Sequence, residues 1–473
     1  LTPPLTPPLT PIPTLTREQI NQVARDLRLR EQPLPIQRDI PPFMLDTVFR
    51  ELDRSFTSDF EDFLGLKASQ DLSLEDVQRS LKAINLETGT KPAIIYVFFS
   101  KPNSSTTKND ETRGTELGRA AVERSSLFPS PDDQLEMMIV FETGVPIRKT
   151  IGATRQEVIA AANRFRSEIT AYRTSPRAYL APSQQLYKWL IAPLEKELKE
   201  KEIDNLNFIL DQGLRSLPIA ALHDGQGFLV EKYSIAMLPS LNLTDMRYRN
   251  IKTASILAMG ATTFRDNDPL PAVGLELAET TKGRGSNYFL NEEFTLANLK
   301  QQHQQQGRRI IHLATHGVFQ GGNLDNSYIQ LWDRRLTLNQ LPELGLNAPL
   351  VDLLVLSACQ TALGNREAEL GFAGLAVQAG VRSSMASLWE VSDEGTLGMM
   401  TNFYDQLATA PIKAEAVRRT QIAMLRRQIR LEGGNLISET RSTPLTRELV
   451  ALGDRNFSHP YFWSAFTLVG NPW

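Results

Sequence analysis

A single cysteine, Cys359, stands in a chain of 473 residues. One thiol excludes a disulfide framework within the chain and any cysteine-rich zinc site. It leaves the redox compartment undetermined. Histidine is scarce too, with five in all and no His-Glu-x-x-His pair, so no metal and no cofactor is expected. The chain carries neither a Gly-x-x-x-x-Gly-Lys phosphate loop nor a Gly-x-Ser-x-Gly elbow. Charge of one sign is also lacking. Lys and Arg number 51 against 54 Asp and Glu, a net charge of -3, and no strongly basic domain stands out. That balance argues against a nucleic-acid binder. No apolar run is long enough to span a bilayer, and no signal peptide is visible. The chain begins at Leu1 rather than Met, so a targeting segment upstream stays open; the cytoplasm is favoured and an exported form is allowed.

What is present is ordinary for a globular protein: 41% hydrophobic and 22% charged residues. The length suggests two or three domains. Residues 1–16 repeat a Leu-Thr-Pro-Pro unit. Proline fixes φ and removes donors, so this stretch reads as a semi-rigid tether. Residues 17–180 then read as a smaller α+β region. It has a short helix over 17–29 and an apolar stripe at Leu45, Val48, Phe49, Leu52, Phe56, Phe60 and Phe63 that fits one helix or two. Ser73 and Asp76 give a capping-box signal for a helix over 74–86. Strands follow over 93–99, 135–142 and 145–150. The polar stretch 100–133 between the first two reads as a flexible excursion. Arg113, Arg119 and Arg124 within it are candidate cleavage points for a basic-specific protease.

A helix over 182–201 carries an interior Pro193 that should kink it. From about residue 254 strands and helices alternate regularly, which predicts a mainly parallel sheet flanked by helices. Two apolar runs in it matter most. Residues 310–314 lead into Thr315-His316-Gly317, and residues 353–357 lead into Ala358-Cys359-Gln360. Ligands in open α/β sheets bind beyond the carboxyl ends of the strands. An imidazole and a thiol delivered to two such ends are the minimal set for nucleophilic acyl transfer. Of the other histidines, His312 lies inside its strand and reads as a core residue. His303, at a Gln-rich helix end, reads as solvated, His223 sits in a turn, and His459 reads as a cap before Pro460. Trp332 reads as packing, and the basic run from Arg418 to Arg430 as a solvated helix face.

The series HLATHG, LVLSACQTALG, GFAGLAVQAGVRSSMASLWEVSDE and HPYFWSAFTLVGNPW, preceded by LPAVGLELAE, resembles the CHAT family. Those are caspase-like domains, related to caspases and separase and often associated with tetratricopeptide repeats. The resemblance covers the chain from about residue 180, so 181–473 is expected to be a caspase-like peptidase domain. It implies that His316 is the catalytic histidine and Cys359 the nucleophile. It also implies that the Gly317 and Cys359 N–H groups form the oxyanion hole. A glycine there allows close approach of backbone to substrate, and fixed donors stabilise the oxyanion without reorganisation. LWEVSD resembles the acidic segment of separase, so Asp393 is expected to meet a basic P1 side chain, with Glu390 second and Trp389 as a wall. Asp266 and Asp268 are fallback positions. A carboxylate in such a pocket selects Arg by bidentate pairing. Ser357 stands where some caspase-like enzymes have Asp. The expected activity is a cysteine endopeptidase cutting after Arg or Lys. Its partners would be a protein or peptide substrate with a basic P1 residue and an activating partner. The alternative is a non-catalytic or latent scaffold that mediates protein–protein interaction in signalling.

Overall fold

The apolar stripe near the start folds as one helix, Pro42–Leu64, which buries Phe49, Leu52, Phe56 and Phe60. The next helix, Leu74–Thr88, opens with the expected capping box, Ser73 and Asp76 each bonding the other's backbone N–H. It stops at Gly89, whose φ of 70° suits a residue without a Cβ. The structure is a computed structural model describing residues 42–102, 124, 129–361 and 363–473, with backbone only at 42–44 and 358–361. The expected tether 1–16, the 17–29 helix and most of the 100–133 excursion, with Arg113 and Arg119, lie outside the described residues.

The main strands are β1 (Pro92–Ser100), β2 (Gln134–Val140), β3 (Ile147–Thr154), β4 (Asn205–Leu210), β5 (Ser234–Met237), β6 (Ile256–Gly260), β7 (Asn287–Leu290) and β8 (Ile310–Phe319). They continue with β9 (Tyr328–Gln330), β10 (Arg335–Thr337), β11 (Leu353–Thr361) and β12 (Ser383–Ser387). Four short strands follow, β13 (Arg430–Glu432), β14 (Asn435–Ile437), β15 (Ser442–Pro444) and β16 (Arg455–Asn456), in a sheet of their own. The last strand is β17 (Phe466–Gly470).

One sheet of 13 strands holds the rest together. It contains two parallel runs, β7-β6-β8-β11-β12 and β17-β5-β4-β1. They meet where β12 pairs antiparallel with β17. β2 extends the second run antiparallel to β1, and β3 pairs antiparallel with β2. The sheet crosses the boundary expected near residue 180, because β1, from the region before it, pairs with β4. Every residue of β1, β4, β6 and β12 is buried. Successive side chains of a strand point to opposite faces, so both faces of the sheet are covered. The fold is therefore α/β, with a mainly parallel sheet flanked by helices.

The expected kinked helix is broken instead. Leu180–Leu190 gives way to a 3-10 turn at Ala192–Leu194, around Pro193, before Glu195–Glu200. Proline has no N–H for the ladder and its ring crowds the preceding turn. His303, expected to be solvated, is fully buried.

Candidate active site

β8, β11 and β12 are neighbours running the same way, so their carboxyl ends open on one edge of the sheet. Both key strands run further than their apolar cores, β8 to Phe319 and β11 to Thr361. His316 and Cys359 therefore lie within the paired strands. The register is Leu356 with Leu313, then Ala358 with His316 and Cys359 with Gly317. Two residues of β8 stand against one of β11 there, which is a β-bulge at residues 314–315. Adjacent strands lie about 4.8 Å apart, so the Cys359 backbone is one strand spacing from Gly317. It is one residue on from the partner of His316.

The His316 ring is half-buried. Its Nε2 lies 2.8 Å from the backbone oxygen of Asp268. A carbonyl only accepts, so Nε2 carries the proton and Nδ1 presents a lone pair. Phe264 packs edge-on against the same ring, with centroids 4.7 Å apart. Both contacts come from the loop after β6, whose carboxyl end opens beside that of β8. Asp268 thus meets His316 through its main chain, while its side chain and that of Asp266 are exposed.

Past β12, Ser392 caps the helix Asp393–Leu407 by accepting the Gly395 N–H at 3.3 Å. Asp393 opens that helix, and its Oδ2 accepts the backbone N–H of Ala272 at 2.5 Å. Ala272 precedes the helix Val273–Thr281. Burial pushes the Asp393 carboxyl up to about 7, the Ala272 bond opposes this, and the charges of Glu276 and Glu394 add to it. Glu276 is fully buried, with Oε1 taking the Nε2–H of His312 at 2.7 Å. His312 Nδ1 lies 3.1 Å from the Tyr404 hydroxyl. Glu390 is exposed. Trp389, expected as a pocket wall, is 5% exposed, and its indole N–H donates to the Tyr461 carbonyl at 3.0 Å.

Among the described residues no group of three or more His, Cys, Asp or Glu side chains is placed to hold a metal ion. Nor is any helix there long and apolar enough to cross a membrane.

The CHAT domain family model matches residues 180–471, more than half of the chain. The chain belongs to the CHAT domain family. No curated protein matches it. Solved structures similar to it include the Saccharomyces cerevisiae separase–securin complex at 2.6 Å resolution, with 9% identity and a TM-score of 0.45. That match covers 93% of this chain and 34% of the other. A second separase–securin structure, at 3.0 Å, gives 8% identity and a TM-score of 0.48, covering 90% and 34%. The complex of Porphyromonas gingivalis RgpB pro- and mature domains gives 10% identity and 0.37, covering 67% and 75%. This chain thus spans about a third of the length of the separase chains it matches.

Within the CHAT domain, three contacts of the site carry no side-chain signal in the sequence. They are the Asp268 carbonyl, the Ala272 N–H and the register that sets Cys359 beside Gly317. Glu276 lies in the LPAVGLELAE stretch, yet nothing in its spacing marks it as the partner of His312. Arg124, a candidate cleavage point by sequence, is a buried pin instead. Its guanidinium donates to Asp211 at 2.7 and 3.1 Å, to Asp59 at 2.5 Å and to the Ser55 carbonyl at 2.8 Å, and lies over the Phe56 ring.

Proposed function

We propose that this CHAT domain is a cysteine endopeptidase that cuts after Arg or Lys. The observation that carries the reading is the register of β8 and β11, with Cys359 abreast of Gly317 and one residue on from the partner of His316. In this reading His316 Nδ1 takes the Cys359 proton, since Nε2 is committed to the Asp268 carbonyl. The thiolate attacks the scissile carbonyl, and the Gly317 and Cys359 N–H groups hold the oxyanion. His316 returns the proton to the leaving amine, and water then releases the acyl group. Asp393 is the first partner for a basic P1 side chain, with Glu390 at the rim. A guanidinium in the pocket stabilises the ionised form of Asp393 and releases its proton.

The test is hydrolysis of a fluorogenic arginyl peptide by the wild type and by Cys359→Ala. Loss of all hydrolysis in the variant is expected. Hydrolysis retained by Cys359→Ala overturns the reading.

A latent state is the second reading, and one contact favours it. Asp393 already holds the Ala272 N–H and sits in surroundings that keep its carboxyl partly protonated near neutrality. An activating partner that draws Ala272 away would free that oxygen for a basic side chain. A thiol-reactive arginyl probe that labels Cys359 only after a partner is added supports this. Labelling of the isolated chain at full rate rules it out.

A further inference from the structure

We propose that Arg166, Ser216 and Glu369 are positioning residues for the end of the Cys359 strand, β11, through Gly364 in the turn after it, and that this turn is therefore held by a helix lying before the matched CHAT segment. The proposal deepens the dyad reading and rests on it.

β11 ends at Thr361, and the next helix, Arg366–Ala373, begins five residues later. Gly364, between them, is bonded to the turn after β4. Gly364, with φ of 78°, donates its N–H to Ser216 Oγ at 3.2 Å. Ser216 Oγ donates in turn to Glu369 Oε1. The second Glu369 oxygen takes the Gly213 N–H at 2.8 Å. Arg166, on the helix Arg155–Thr170, closes the cluster. Its Nη2 lies 3.4 Å from Glu369 Oε1, its Nε donates to the Ser216 carbonyl at 3.3 Å, and Nη2 donates to the Gly213 carbonyl. Its Nη1 donates to Asn163 Oδ1 at 2.7 Å. The Arg166 and Glu369 side chains are 3% and 0% exposed.

A buried carboxylate and guanidinium hold one geometry because leaving either unpaired is costly. Here that geometry includes Gly364, five residues after Cys359. A Cβ on Gly364 would come within 3.0 Å of Asn163 Oδ1 and 3.3 Å of Arg166 Nη1, so the turn lies directly against this cluster. The turn also reaches the histidine side. A Cβ on Gly321, just past β8, would lie 2.6 Å from Asn365 Nδ2. Arg166 stands outside residues 180–471, so the family segment alone lacks the cation that Glu369 is paired with.

Because Cys359 is the only cysteine, alkylation of the full chain by iodoacetamide reports on the end of β11 next to that turn. The variants are Ser216→Ala, which removes the link to Gly364 without stranding a charge, and Arg166→Met. Both are expected to move the pH midpoint of alkylation towards the ordinary thiol value of about 8.5. On an arginyl peptide, kcat is expected to fall roughly tenfold with KM nearly unchanged, the size that losing one hydrogen bond to a charged group supports. If Arg166→Met fails to fold, Ser216→Ala decides. Folded variants with wild-type alkylation profiles overturn the proposal. His316→Ala separates this outcome from failure of the dyad. If it leaves the alkylation profile unchanged, the dyad reading is wrong. Positioning is then read from the alkylation rate above the titration, where the orientation of that strand end alone counts. A wild type that alkylates normally but cleaves nothing, even with an activating partner, refutes the peptidase and leaves the positioning result standing.

Discussion

The carbonyl of Asp268 and the Nε2 of His316 are joined at 2.8 Å, so a main-chain oxygen sets the tautomer of the ring. Removing that ring takes away the proposed base but little packing, because His316 is only half-buried. His316→Ala is expected to lower kcat on an arginyl peptide by about a hundredfold to ten-thousandfold, the usual contribution of a positioned base. Its thermal midpoint should stay near that of the wild type. A midpoint that collapses together with activity would make His316 a structural residue.

Asp393 gives the protein a pH dependence with a definite sign. Its carboxyl titrates at about 7 when folded, above the ordinary carboxylate value, chiefly through burial. The folded state thus holds a proton that the unfolded state has lost, between about pH 4 and 7. The stability this contributes is complete below about pH 4 and is lost as pH rises through about 7. Asp393→Asn, which cannot ionise, should flatten that fall and unfold later than the wild type at about pH 8. In the proposed reading substrate recognition runs the other way, because the ionised form would pair with Arg. KM for an arginyl peptide is expected to drop as pH rises through about 7, and Asp393→Asn should abolish the change.

Arg124 is bonded to the helix Pro42–Leu64 and to Asp211, just past β4. Arg124→Ala takes one of two arginines from Asp59, which keeps Arg215 at 2.6 Å, and leaves the fully buried Asp211 with Arg155 at 3.7 Å. The expected loss is about 3–5 kcal/mol, read by chemical denaturation. Burial alone would lift both carboxyls. The neighbouring arginines, Arg124 and Arg215 on Asp59 and chiefly Arg124 on Asp211, bring them below the ordinary range. Their contribution is therefore present above about pH 4 and is lost as pH falls through the lowered values. Peptide mapping after brief trypsin treatment should find no cut after Arg124 in the folded wild type.

Glu276 and His312 form a sealed pair under Asp393. Glu276→Leu leaves the Nε2–H of His312 without an acceptor, at a cost of about 2 kcal/mol. Glu276→Gln keeps an acceptor and should cost less. Because the charge of Glu276 also lifts Asp393, both variants should shift the KM-versus-pH profile to lower pH. An unmoved profile would show that the two carboxyls are not coupled.

The alternation of strands and helices was readable because buried strands are short apolar runs. β6 and β7, at Ile256–Gly260 and Asn287–Leu290, fall in the stretch past residue 254 where that alternation is regular. The ends of β8 and β11 were not readable, because Thr315, His316, Gln360 and Thr361 are polar and the pairing that recruits them is tertiary. The strands β13 to β16 were missed for a related reason: two or three residues carry no usable periodicity. Asp393 was legible as an acidic residue past β12, but its bond to Ala272 joins positions 121 apart in the chain. Trp389 looked like a pocket wall from its place beside the acidic pair. The acceptor that draws its indole inward is a carbonyl at Tyr461, invisible to local reading.

The antiparallel seam between β12 and β17 has a consequence for synthesis. Until residues 466–470 leave the ribosome, Ser383–Ser387 and Ser234–Met237 each present a bare row of amides and carbonyls to solvent or to a chaperone. A nascent chain stalled before Phe466 is a molecule with two sticky margins. Strands from other chains can zip onto either of them, so premature termination there should yield aggregates rather than a shortened, working protein.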